Sequence, residues 1–259
     1  MHILVTNDDG VQAPGLLALV CEMRALGKVT VLAPDHNWSG FGHIKTLERP
    51  LRVQPVKLAD GSLAFASDGG PSDCVALALL GVVPEKIDLV VSGINPYANI
   101  GHDVTYSGTV TAAMEAVITG VPGIACSLDS HPGQGELDYA PAARIVAHVA
   151  EKVLAFGLPK GILLNINIPC LEESCLKGIL ITRQGLRVYR DELDVRTDPR
   201  GRRYYWIGGE FPTGVDEAGT DFGALNAGFV SVTPLQLDLT ARDAMDGLMK
   251  WSWDAPDSR

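Results

Sequence analysis

The chain has 259 residues, of which 46% are apolar, so it is long enough to bury a large core. Its 31 acidic and 21 basic side chains give a formal net charge of -10, which disfavours binding to duplex nucleic acid or an anionic membrane surface. There is no signal-peptide pattern, and no apolar run approaches the roughly 20 residues that span a bilayer. We therefore expect a cytoplasmic protein that acts on a small molecule.

Short apolar segments rich in Val, Ile and Leu alternate along the chain with longer segments of helical periodicity. This alternation predicts an α/β fold, in which helices cover both faces of a mostly parallel sheet. The predicted strands are HILVT, VTVLAP, IDLVVSGIN, GIACS and LLNINIP. Between them, apolar residues at helical spacing predict helices that stop at Gly27, Gly120 and Gly157.

Residues 187–207 break this alternation. Two extended runs flank Asp198, Pro199 and Gly201, a turn sequence, and together they predict a long β-hairpin. The hairpin is either a plain surface feature or an arm that packs on another subunit, because its aromatic side chains would be costly to leave in water. No repeat or low-complexity linker divides the chain, so we predict a single domain over 1–259, with DAPDSR as a frayed tail.

Polar side chains follow three of the predicted strands. Asp8 and Asp9 come directly after the first, Ser39 follows the second, and Asn95 ends the third. Ligands of open parallel sheets bind at the carboxyl ends of the strands, and oxygen donors with a carboxylate pair suit Mg²⁺, Mn²⁺ or Ca²⁺ better than zinc. Each residue alone would fit ordinary turn or capping chemistry. Their convergence at one sheet edge favours a metal site.

A second candidate element is YSGTVTAAMEA, in which Ser107, Gly108 and Thr109 begin a helix. A helix N-terminus presents free N–H groups and partial positive charge, so it can bind phosphate, although a simple Ser or Thr cap is the common alternative. The preceding loop adds Asn99 as a phosphate donor and Asp103 as an acid or base. Either of these two could equally be a solvated loop residue.

Taken in order, these stretches resemble the survival protein SurE family of metal-dependent nucleotidases. The matching segments are ILVTNDDGVQAPG, APDHNWSG, GGPSDCVALAL, VVSGINPYANIGHDVTYSGTVTAAMEA and GTDFGALNAGFVSVTPLQLDLTA, so the resemblance covers most of the chain. It implies a Rossmann-like fold and hydrolysis of nucleoside 5′- or 3′-monophosphates. It also implies a projecting hairpin arm and a C-terminal segment that join subunits into dimers or tetramers.

The resemblance further implies roles for individual residues. One divalent cation, Mg²⁺ or Mn²⁺, would be held by Asp8, Asp9, Ser39 and Asn95, and phosphate would be bound by Asn99, Ser107, Gly108 and Thr109. Many family members carry two His residues in the C-terminal motif where this chain has Gln236 and Arg242. The proton for the leaving group is therefore left to Asp103 or to solvent.

In the mechanism that we expect, the metal polarises a phosphoryl oxygen and activates a water molecule, and Asp8 or Asp9 orients that water. A covalent aspartyl-phosphate is a rival, but such phosphatases usually show an Asp-x-Asp spacing, with the two Asp residues two positions apart, whereas this pair is adjacent. An alternative from another class is a receiver-like, Mg²⁺-binding regulatory domain without turnover. That domain would need an acceptor Asp after its third strand and a Lys after its fifth.

Overall fold

The structure, a computed structural model, describes residues 1–251 and residue 253. Its strands are β1 (His2–Thr6), β2 (Lys28–Pro34), β3 (Val53–Lys57), β4 (Leu63–Ser67), β5 (Leu89–Asn95), β6 (Gly123–Asp129), β7 (Ile162–Pro169), β8 (Ile179–Ile181), β9 (Arg187–Val188), β10 (Asp191–Thr197), β11 (Arg203–Gly209), β12 (Thr213–Gly214) and β13 (Val230–Gln236). Its α-helices are α1 (Pro14–Met23), α2 (Pro71–Leu77), α3 (Gly108–Ile118), α4 (Ala140–Phe156), α5 (Asp221–Asn226) and α6 (Arg242–Leu248). The predicted tail at 254–259 lies outside the described residues.

Nine strands form one mixed sheet in the order β3-β4-β2-β1-β5-β6-β7-β13-β8. The six strands from β4 to β7 in this order run parallel, whereas β3 and β13 are antiparallel to β4 and β7. All five strands predicted from the sequence are present, and they are the adjacent central strands of this sheet. The predicted mostly parallel sheet is thus confirmed.

Helices cover both faces of the sheet, and the side chains of β1 pack against helices on each face. These side chains alternate, so that Ile3 and Val5 pack in the core with α1 and α4, while Leu4 packs in the core with α2 and α3. All three side chains are fully buried. A strand with both faces buried must be apolar throughout, which explains the unbroken run at the start of the sequence.

The first helix ends earlier than predicted. It stops at Met23, and Arg24 to Leu26 continue in tight turns before Gly27. Gly27 passes against the N-terminus, where a Cβ would lie 2.5 Å from the carbonyl oxygen of Met1. This glycine is therefore required for close backbone contact rather than for ending the helix.

The loops that carry the candidate residues meet at one place on the sheet. The neighbours of β1 are β2 and β5, so the chain runs outward from β1 first in one direction and then in the other. A crevice opens at the carboxyl ends of strands where this order reverses. The loops after β1, β2 and β5 border that crevice.

The predicted hairpin is present as β10 and β11, which pair antiparallel around the turn at 198–202. The strands extend to Gly209, two residues beyond the predicted end. Where the hairpin joins the rest of the chain, β9 pairs with β12, with Arg187 opposite Gly214 and Val188 opposite Thr213. This pairing closes the base of the hairpin, which we call its root. Every residue of β10 and β11 is exposed in the chain. Within the described part of the chain, no helix is long and apolar enough to cross a membrane.

Candidate active site

A cavity of about 380 Å³ lies at the carboxyl edge of the sheet. Seven of the nine site residues predicted from the sequence line it: Asp8, Asp9, Ser39, Asn95, Asn99, Asp103 and Ser107. The other two, Gly108 and Thr109, lie directly behind Asp8. The sheet edge therefore brings together residues from positions 8 to 107 of the chain.

The turn after β1 orients the carboxylates of Asp8 and Asp9. The Asn7 side chain bonds Gly10 twice, donating to its carbonyl oxygen and accepting from its N–H. Gly10 has a φ of +105° and lies against the backbone of His36, a conformation that other residues rarely adopt. The glycine in NDDG is thus required by the turn, while Asn7 holds that turn in place.

The carboxylate pair carries an electrostatic penalty. Burial raises the pKa of Asp8, although the hydroxyl of Thr109 and the backbone at the start of α3 act in the opposite direction. Burial, and then the charge of Asp8, raise the pKa of Asp9 to about 7. Neither carboxylate forms a salt bridge with any described Lys, Arg or His. A buried acid beside a partly buried one, without a cationic partner, favours binding of a metal ion.

The remaining donors complete an oxygen-only set. The amide nitrogen of Asn95 donates to the carbonyl oxygen of Tyr97 at 2.5 Å, so its side-chain oxygen is left as a free acceptor. The Ser39 loop is fixed beside the pair because the Trp38 N–H donates to the backbone oxygen of Asp8 at 2.7 Å. Two carboxylates, an amide oxygen and a hydroxyl fit a hard divalent cation. Residues 1–251 and 253 contain no cluster of three or more His, Cys, Asp or Glu side chains that could hold a metal.

The start of α3 touches Asp8. Thr109 is fully buried, and its hydroxyl donates to Asp8 at 2.5 Å. A Cβ on Gly108 would lie 2.7 Å from the Cβ of Asp8, so only glycine allows this approach. Ser107 caps the helix by accepting from the N–H of Val110 and also lines the cavity. The structure thus reveals a contact between Thr109 and Asp8 that the sequence did not predict.

A buried amide network holds Asn99. Its N–H donates to Asn167, its side chain donates to Ser127, and its carbonyl oxygen accepts from Asn165. Asn165 and Asn167 are fully buried on β7. These residues were not predicted from the sequence, although two Asn side chains in an apolar strand, LLNINIP, were a visible signal.

Asp103 is paired with residues from the root of the hairpin. Its carboxylate lies 2.9 Å from Nε of Arg187 and accepts a hydrogen bond from the Tyr189 hydroxyl. Arg187 also lines the cavity, as does Phe211 from the other end of the hairpin. Neither Arg187 nor Phe211 was predicted as a site residue, because only the pairing of β9 with β12 brings them to the crevice.

Gln236 and Arg242 lie away from this cavity. Because β13 is antiparallel to β7, Gln236 pairs with Ile162 at the amino end of β7, at the opposite edge of the sheet. Arg242 forms an ion pair with Asp238. Neither side chain lines the cavity of its own chain, so their difference from the family pattern leaves this cavity unchanged.

Comparison with known proteins agrees with this architecture. The family model described as "Survival protein SurE" matches residues 3–191. A protein named 5′-nucleotidase SurE from Chloroflexus aggregans is 51% identical over 254 residues, covering 98% of this chain and 100% of its own. The protein of the same name from Herpetosiphon aurantiacus is 52% identical, covering 98% and 99%.

A solved structure is also similar. The crystal structure of the SurE protein from Aquifex aeolicus matches with a TM-score of 0.80 and 40% sequence identity. The match covers 96% of this chain and 98% of that one. The likeness therefore extends over nearly the whole chain.

Proposed function

Because the chain belongs to the survival protein SurE family, we propose that it is a phosphomonoesterase that hydrolyses nucleoside 5′-monophosphates, and also 3′-monophosphates, to nucleoside and phosphate. One observation carries this proposal. The carboxylates of Asp8 and Asp9, which form no salt bridge with a described residue, border the same cavity as the start of α3. Cation-binding and anion-binding groups side by side are the requirements of a phosphate ester site. The relatives named 5′-nucleotidase support the same activity.

The residues present fit one divalent cation, Mg²⁺ or Mn²⁺, which Asp8, Asp9, Ser39 and Asn95 would hold. When bound, this cation would polarise a phosphoryl oxygen and lower the pKa of a water molecule. The Asp9 carboxylate accepts no hydrogen bond from another described residue, whereas Asp8 accepts one from Thr109. We therefore assign to Asp9 the orientation of the attacking water.

Asn99 and Ser107 line the cavity and would donate to the phosphate oxygens. Gly108 and Thr109 would contribute through the positive end of α3, which offsets negative charge on Asp8 and on the phosphate together. Asp103 is engaged by Arg187 and Tyr189, which suits a positioning role. Solvent is then the better donor of the proton that the leaving oxygen requires.

The test is phosphate release from a panel of nucleoside 5′- and 3′-monophosphates with Mg²⁺ or Mn²⁺, followed by chelation. We expect metal-dependent turnover that Asp9→Asn reduces by about 100-fold or more, as expected for loss of a group that positions the nucleophile. Asp246→Asn, an exposed change on α6, is the control and should leave turnover unaltered.

The receiver-like alternative predicts a different result. Such a domain would take up at most one phosphate from a small donor and would not clear an excess of nucleotide. If the folded protein releases no phosphate with either metal, the nucleotidase proposal is wrong. We also propose a cytoplasmic homodimer or homotetramer joined through the hairpin, in line with the family relationship.

A further inference from the structure

One wall of the cavity comes from the root of the hairpin. Arg187 lies on β9, and Phe211 with Pro212 immediately precedes β12. Pairing of Val188 with Thr213 fixes the two ends of the hairpin side by side. These residues face a cavity whose other wall holds the carboxylate pair and the start of α3. The cavity is therefore chemically divided, with oxygen donors in one part and an aromatic and guanidinium surface in the other.

Phe211 is the centre of an aromatic cluster. The guanidinium carbon of Arg187 lies 5.8 Å from the centre of its ring, within range of a cation–π contact. The rings of Tyr97 and His131 lie 6.0 Å and 5.1 Å from it. Tyr97 also lines the cavity, and 43% of its surface is exposed. The cluster fixes the Phe211 ring at the cavity wall.

Arg187 is unusually buried for a charged residue, since only 6% of its side chain is exposed. The Asp103 carboxylate forms an ion pair with Nε of Arg187 and so balances the charge of the guanidinium. Its two terminal nitrogens donate no hydrogen bond to another residue of the described chain, and the side chain reaches the cavity. It thus offers unused donors beside an aromatic ring.

We propose that this wall, formed by Tyr97, Arg187 and Phe211, binds the nucleoside part of the substrate, with the base stacked on Phe211. The inference rests on the proposed nucleotidase function and adds to it the residues that recognise the base. A phosphate group alone would need neither an aromatic surface nor a cavity of about 380 Å³. Aromatic rings stack on any base through its π face, and the Arg187 donors suit the base's ring nitrogens and carbonyl oxygens.

The test compares adenosine 5′-monophosphate with ribose 5-phosphate, which has the same sugar phosphate but no base. In Phe211→Leu, which keeps an apolar side chain but removes the ring, the ratio of kcat/KM for the two substrates should fall about tenfold, mainly through KM for the nucleotide. Phe211→Tyr keeps the ring and should restore the ratio. Phe156→Leu, at an exposed phenylalanine on α4 outside the cavity, should leave the ratio at the wild-type value.

An unchanged ratio in Phe211→Leu, or an equal fall for both substrates, would overturn the inference. Binding of adenosine, measured by calorimetry, tests the wall without any phosphate chemistry. Weaker adenosine binding in Phe211→Leu than in the wild type supports the inference, and equal binding contradicts it. If the wild type hydrolyses neither phosphate ester, the proposed function fails, and the adenosine measurement still decides the role of Phe211.

Discussion

At the scale of single residues, the central fact is that Asp8 and Asp9 are adjacent acids at the end of a buried strand. In the absence of a cation, the folded protein must either keep a proton on the pair or hold two negative charges close together. The pKa of Asp9, about 7, expresses that conflict. In the unfolded chain the same carboxyl titrates near its ordinary value of 3.8. This difference makes the stability of the metal-free protein depend on pH.

We predict that the metal-free protein, kept in chelator, loses stability as pH rises from about 4 to about 7. In this window the folded state retains a proton on Asp9 that the unfolded state has released, so raising the pH favours unfolding; above the folded-state pKa the loss is complete. Allowing for relaxation around the site, we expect a loss of about 1 kcal/mol or more, which is roughly 2–4 °C in Tm for a chain of this size. The measurement is Tm against pH in chelator, for wild type and Asp9→Asn.

Asp9→Asn removes the titrating group and relieves Asp8 of its neighbour's charge, so its Tm should decline less over the same pH range. Asp246→Asn should follow the wild type. Added Mg²⁺ should restore the wild-type Tm at high pH, because the cation replaces the proton as the partner of the pair. Parallel pH curves for wild type and Asp9→Asn would show that the pair carries no such penalty.

The residues that could be predicted are those that follow strands of a parallel sheet, since the carboxyl ends of such strands share one edge. Asp8, Ser39 and Asn95 belong to this class. Thr109 was recognised as part of the helix start, but its bond to Asp8 joins residues 101 positions apart and has no local signature. Phe211 could not be found, because nothing in its surroundings in the sequence marks it as facing a cavity.

At the scale of elements, Asp221 joins three segments around the site. Its fully buried carboxylate accepts from the N–H groups of Gly101, Gly185 and Phe222 at 2.7–2.8 Å. Gly101 begins the helical turn that carries Asp103, and Gly185 precedes the hairpin root. One carboxylate at the start of α5 therefore connects the loop after β5 to the root of the hairpin.

We predict that Asp221→Asn destabilises the protein and weakens substrate binding. The introduced amide can replace only one of the two acceptor oxygens, so its NH₂ group faces a backbone N–H. This mismatch costs about 1–3 kcal/mol, or roughly 2–12 °C in Tm. Because the loop and the hairpin root both border the cavity, KM for nucleotide should rise as well. Thermal unfolding and steady-state kinetics measure the two effects.

Asp216→Asn provides the matched control, since Asp216 is exposed and, among the described residues, bonds only the Asn226 side chain. We expect it to change Tm by less than about 1 °C, as surface substitutions usually do. Equal behaviour of the two variants would mean that the three N–H groups find other acceptors and that Asp221 is not needed to hold the elements together.

The elements that could be predicted are the central strands and the long helices, because burial on both faces of a strand leaves an unbroken apolar run and burial of one stripe of a helix leaves a periodic pattern. The ends were less predictable: Gly27 looks like a helix stop, but close contact with Met1 is its actual requirement. The short strands β9 and β12 have no periodicity at two residues each. Their pairing, which closes the hairpin root, arises only in the folded chain.

At the scale of the whole molecule, strand direction decides which residues can meet. Gln236 and Arg242 looked relevant to catalysis because the family resemblance implies histidines at these positions in many members. The antiparallel direction of β13 carries Gln236 to the far edge of the sheet, away from Asp8. Sequence order alone could not reveal this, since a strand's direction depends on the connection that precedes it. Within one chain, these two positions cannot donate a proton at the cavity.

The hairpin of β10 and β11 exposes an apolar face. Cross-strand pairing places Leu193 opposite Ile207 and Val195 opposite Tyr205, all on one side of the ribbon. Their exposed fractions range from 50% to 85% in the single chain. An isolated two-stranded hairpin is marginally stable in water, and an apolar patch of this kind marks an interaction surface. In the proposed homodimer or homotetramer, a second copy of the chain would cover this face.

We predict that Ile207→Glu shifts the protein to a smaller assembly. A single charge at the centre of a desolvated apolar contact costs several kcal/mol, which is enough to dissociate a dimer or tetramer at micromolar concentration. Leu80→Glu adds the same charge at a similarly exposed residue, 83% against 85%, which lies away from the hairpin in the helical turn after α2 (Ala78–Val82). Light scattering coupled to gel filtration should give the wild-type mass for Leu80→Glu and a lower mass for Ile207→Glu. A monomeric wild type, or an unchanged mass in Ile207→Glu, would show that this face does not join subunits.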